Sequence, residues 1–76
     1  MICPILMKTS KDVKRVNEIA ARSELDMLVS CGTMAIDPRS ILGLFAFMGK
    51  DALLVAPDDT NPDYFTYLIR KMSVSA

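Results

Sequence analysis

The stretch IDPRSILGLFAFMGK, residues Ile36–Lys50, decides how the rest of this chain is read. Asp37-Pro38 is a helix-start pair: Asp caps, and Pro takes the first helical position, where its missing N–H is no loss. Gly49 suits a left-handed cap, so the pattern predicts a helix running to Gly49. At 3.6 residues per turn one face of that helix can bury Leu44, Phe47 and Met48. Ile41, Leu42 and Phe45 cannot all enter the same core. At least two of them are expected at its rim or in water, each forgoing roughly 1.5–3 kcal/mol of burial. Such a cluster marks a contact patch, unless the last helix or the long loop covers it. Ser40 falls near the third helical position, among N–H groups without intrahelical partners. A phosphate on it would be electrostatically favoured there, with Arg39 and Lys50 close along the chain. First-turn serines also commonly do no more than hydrogen-bond locally.

Working outward, "ICPILM" (2–7) is a short apolar strand. Pro4 places it at a sheet edge, because proline cannot donate to a ladder. "TSKDVKRVNEIAARS" follows, with Ser10 as the expected N-cap and Asp12 in the first turn. Val13, Val16 and Ala20 recur at helical spacing beside Ile19, giving an amphipathic helix over about residues 10–22. "ELDMLVSC" alternates, with Leu25, Met27, Val29 and Cys31 on one side. Glu24, Asp26 and Ser30 lie on the other, with Leu28 the exception. Gly32-Thr33 is a tight turn into a short strand, "MAI". "ALLVA" (52–56) is the last strand, and "PDDTNP" is a loop ending in a second, Asn-Pro, start signal. "DYFTYLIRKM" is a helix with Phe65, Leu68, Ile69 and Met72 on one face. Arg70 and Lys71 suit its C-terminal dipole. The order β-α-β-β-α-β-α predicts a two-layer α/β arrangement with helices on one sheet face. Glu24, Asp26 and Ser30 suit a second face that meets solvent.

The chain has 76 residues, which is one domain, 1–76, near the lower end of what folds without disulfides or metals. Hydrophobic residues make up 51 %, enough for a packed core. Nine basic and nine acidic residues cancel, so there is no electrostatic footprint for nucleic acid, and neutrality favours association. The apolar run at the N-terminus is too short for a signal peptide or a membrane span, so a cytoplasmic location is expected. Cys3 and Cys31 read as buried reduced thiols; no CxxC spacing supports redox chemistry. With no His and only two Cys, neither a metal nor a cofactor is expected. No nucleophile–base pair, Gly-rich phosphate loop or paired-carboxylate constellation is present, so the chain is not expected to be an enzyme. Asp58-Asp59 reads as a solvated loop pair, and Tyr64 and Tyr67 as amphipathic helix residues.

The run "IDPRSILGL", with this order of elements, resembles the HPr-like family, the histidine-containing phosphocarrier proteins of the bacterial sugar phosphotransferase system. The resemblance covers nearly the whole chain as topology and about ten residues as specific sequence. It implies an open-faced β-sandwich, a four-stranded antiparallel sheet backed by helices. In Gram-positive relatives the serine matching Ser40 is phosphorylated by an ATP-dependent kinase, and the phosphoprotein acts in catabolite regulation. The apolar residues after it dock phosphotransferase-system components, the kinase and regulatory partners; here they are Ile41, Leu42 and Phe45. The departure lies at the carrier site, a histidine followed by arginine and proline. Those positions fall on Thr9, Lys11 and Asp12. A threonine hydroxyl needs a base to react, and its phosphate ester is too stable to hand on easily. Asp12 also repels an incoming phosphoryl group.

Three functions follow as expectations. The first is a regulatory or adaptor protein that keeps the Ser40 surface without carrier chemistry. The second is a self-associating module whose exposed patch makes a homodimer, served by neutral charge and six methionines. The third is a small-ligand-binding domain of ferredoxin-like type. A protein partner is expected, with no nucleic acid and no membrane.

Overall fold

The computed structural model describes all residues 1–76. It is an α+β fold in the order β1 (Ile2–Leu6), α1 (Ser10–Arg22), β2 (Leu28–Cys31), β3 (Met34–Ile36), α2 (Ile41–Ala46), β4 (Asp51–Val55) and α3 (Pro62–Met72). The strands form one antiparallel sheet in the spatial order β1-β4-β2-β3. Helix α1 packs against both α2 and α3. Register and burial agree on which residues face that helical layer. Ile5 opposes Ala52, Cys3 opposes Leu54, and Leu54 opposes Val29, all turned inward. The core closes on Val13, Val16 and Ala20 of α1, Leu44 of α2, and Phe65, Leu68 and Met72 of α3.

Several local readings hold for their stated reasons. β1 is an outer strand, and Pro4 turns its missing donor to the outer side, where its carbonyl accepts from Ala76 N (3.1 Å). On that same side Leu6 N donates to Val74 O (2.8 Å), and Ser75 bridges to Ile5. Gly32 has φ +60 while Thr33 keeps an ordinary negative φ, as a two-residue hairpin with glycine first requires. Asn61 caps α3 by accepting from Asp63 N and Tyr64 N, with Pro62 as first helical residue. Ser73 takes the left-handed cap at φ 55 that glycine usually fills.

Other readings need correction. Asp37-Pro38 does not begin α2. Asp and Pro also suit the first two positions of a reverse turn, and that use wins here. Ser40 N donates to Asp37 O (2.9 Å) and Arg39 N to Asp37 Oδ1 (2.9 Å), while Pro38 is fully buried. The helix starts one turn later, at Ile41, and its regular part ends at Ala46. Residues 47–50 then tighten into i→i+3 turns, Phe47 N to Leu44 O and Lys50 N to Phe47 O. Gly49, at φ +79, turns the chain so that its N–H reaches Met7 O at 2.7 Å. Met48 is therefore exposed rather than buried. Thr9, not Ser10, caps α1. β2 begins at Leu28, and Glu24–Met27 form no strand. The two thiols are free but only half-buried.

Candidate functional site

Three side chains position the segment that carries Ser40. The Asn17 amide on α1 donates to both Pro38 O (3.1 Å) and Arg39 O (3.0 Å). The Arg39 guanidinium is held by Asp26 (3.0 Å) and Asp37 (3.3 Å). Leu44, fully buried, anchors α2 from below. Ser40 sits at the N-cap, not the third helical position. Its side chain makes no capping hydrogen bond, and the residue is exposed. Leu42 is 81 % exposed and Ile41 36 %, side by side on the outer surface of α2. Phe45 is half-buried and packs on the core margin. The structure thus brings Ser40, Ile41 and Leu42 to one surface, with Met48 (40 % exposed) on the turn that follows α2.

The loop at the start of α1 is built as a cap. Thr9 Oγ1 accepts from Asp12 N (3.2 Å), and Asp12 Oδ2 accepts from Thr9 N (3.1 Å). The two residues form a reciprocal capping box. The Thr9 hydroxyl is therefore a helix cap in its resting state. Lys11 is exposed and makes no ion pair. Asp12 also accepts from Lys8 N (2.8 Å) and pairs with Arg15 (2.6 Å). Arg15 in turn donates to Met72 O (2.7 Å), joining the start of α1 to the end of α3.

The Lys8 N–H bond, followed by the Thr9 and Arg15 contacts, holds the Asp12 carboxyl below its ordinary pKa. A carboxylate whose folded pKa is depressed stabilises the fold above its unfolded value, about 3.9, and loses that contribution as pH falls through the folded value. Asp12→Asn is therefore expected to flatten the acid limb of stability below about pH 4. Thermal melts of both proteins from neutral to acid pH check this; parallel curves would show that Asp12 is not the group responsible.

Sequence reading missed Asn17 and Arg15, whose partners lie far along the chain; no local signal marks them. Tyr64 and Tyr67 stack on each other (ring centroids 6.2 Å apart), with Lys71 over Tyr67. Ser23 Oγ and Tyr64 OH lie 3.4 Å apart, tying this pair to the end of α1.

These features define a small α+β protein with a four-stranded antiparallel sheet and three helices. No family model and no curated protein matches the chain. No helix is long and apolar enough to cross a membrane.

Proposed function

We propose that this chain is a non-enzymatic, HPr-like regulatory or adaptor protein that lacks the carrier histidine. It acts in the cytoplasm by docking a protein partner on the surface made by Ile41, Leu42 and the edge of Phe45. Ser40 beside that surface is the modification site, where a kinase would transfer the terminal phosphoryl group of ATP to Oγ and release ADP. The observation that carries the reading is the exposure of Leu42 and Ile41 next to a serine whose side chain is not engaged as a cap. A patch of this kind on an anchored segment is suited to recognition. The antiparallel sheet with its three helices supports the family resemblance. The engagement of Thr9 as a helix cap supports the absence of carrier chemistry at that position.

The test has two readouts. The serine kinase of the HPr-like system and ATP are expected to add one phosphate to the wild type and none to Ser40→Ala, read by intact mass. Titration of the isotope-labelled chain with that kinase is expected to shift the Ile41, Leu42 and Phe45 resonances, and Leu42→Glu to abolish the shifts. A wild-type chain that gains no phosphate and shows no shifts would overturn the proposal.

A further inference from the structure

The sheet face opposite the helices meets solvent, as expected, but it is apolar, and of Glu24, Asp26 and Ser30 only Ser30 lies on it. Glu24 and Asp26 precede β2 and lie outside the sheet. The register assigns nine positions to this face: Ile2, Pro4 and Leu6 of β1, Leu28 and Ser30 of β2, Ala35 of β3, and Asp51, Leu53 and Val55 of β4. Only Ser30 and Asp51 are polar. An antiparallel sheet with one wet face ordinarily carries polar residues there. Instead Ile2 (63 % exposed), Val55 and Leu28 (48 %) form one cross-strand row. Pro4, Leu53 (39 %), Ser30 and Ala35 form the next.

We infer that this face packs against the same face of a second copy of the chain, making a face-to-face dimer with a second, intermolecular core. Two observations and one packing rule point to a second copy. The face has no cation among its strand positions, so nothing on it seeks an acidic partner or an anionic lipid surface. The chain's nine cations and nine anions cancel, so copies do not repel. Two twisted sheets pack face to face at about 10 Å with interdigitating side chains, an arrangement open to an exposed apolar sheet face. The 20 residues of the four strands and the 74–76 segment cover roughly 320 Å² of sheet, and side-chain relief brings the accessible area to ~500 Å² per copy. The pair would bury ~1,000 Å², the threshold for a specific interface, so the dimer is weak. This inference is independent of the Ser40 surface, which lies on the helical layer.

Sedimentation equilibrium tests it. The wild type is expected to show a monomer–dimer equilibrium with Kd of order 10–100 μM. Leu53→Lys and Leu28→Lys, both at exposed positions on neighbouring inner strands, are each expected to weaken it at least ~10-fold. Leu42→Glu is expected to leave it unchanged. Amide spectra establish that each variant is folded, and if one is not, the other decides. A wild type that stays monomeric to about 1 mM overturns the proposal. So does a dimer that survives both lysine variants, or one abolished by Leu42→Glu. A monomer that instead floats with phosphatidylcholine vesicles assigns the face to lipid and also overturns it.

Discussion

Leu44→Ala is expected to lower the unfolding free energy by about 3–4 kcal/mol, within the range for a fully buried leucine that leaves a cavity. A chain of this size has only ~4–11 kcal/mol in total, so the loss is a large fraction of it. The damage should also be local. Leu44 is the one buried residue of the six-residue α2, and a helix that short has no stability of its own. Urea titration is expected to show the lower midpoint. Hydrogen exchange should show α2 amides opening well before those of β4. Leu42→Ala, one turn face away and mostly in water, should stay within about 0.5 kcal/mol. Equal losses for the two variants would mean that α2 is not anchored as described. If Ser40 is phosphorylated as proposed, Leu44→Ala should also reduce that phosphorylation without touching the serine, because Ser40 sits at the N-cap of that helix.

The second large effect concerns Gly43. A Cβ there would lie 3.0 Å from Ile36 Cδ1 and 3.4 Å from Ile36 Cβ and Cγ2. Gly43→Ala gains up to about 1 kcal/mol of helix propensity. It must push aside the end of a flexible side chain, so the two terms nearly cancel and a near-neutral variant is expected. Gly43→Val adds a branched side chain against the fixed stem of Ile36 and is expected to cost about 2–3 kcal/mol by overpacking. Thermal unfolding of the pair checks the contrast; a tolerated valine would mean that α2 does not approach β3 so closely.

The elements were legible where one residue type has one dominant use. Asn61-Pro62 opened α3, Gly32-Thr33 turned the hairpin, and Val13, Val16 and Ala20 gave α1 its buried face. Legibility failed where a residue pair has two uses of similar energy. Asp37-Pro38 serves a reverse turn as well as a helix start, and the turn is held by Asn17, twenty residues earlier, whose amide donates to the turn's carbonyls. The Ser40 surface was readable in outline, since Ile41 and Leu42 do stand in water, while Phe45 finds partial cover at the core margin that spacing could not show. The apolar outer sheet face was also written in the chain, in Ile2, Leu28 and Leu53. Glu24 and Asp26 mask it, because they alternate like strand residues but precede the strand.

The placement of β1 has a consequence in time. Strand β1 finds its backbone partners only in residues 51–55 and 74–76, which are synthesised long after it. Until those emerge, its apolar residues have no ladder to join. Folding should therefore be slower than the short helices suggest, with pairing of the two chain ends as the late step, because the closure entropy of that wide loop must be met before any of its contacts form. A nascent chain halted before residue 51 would hold α1 and the hairpin without the strand that joins them to β1.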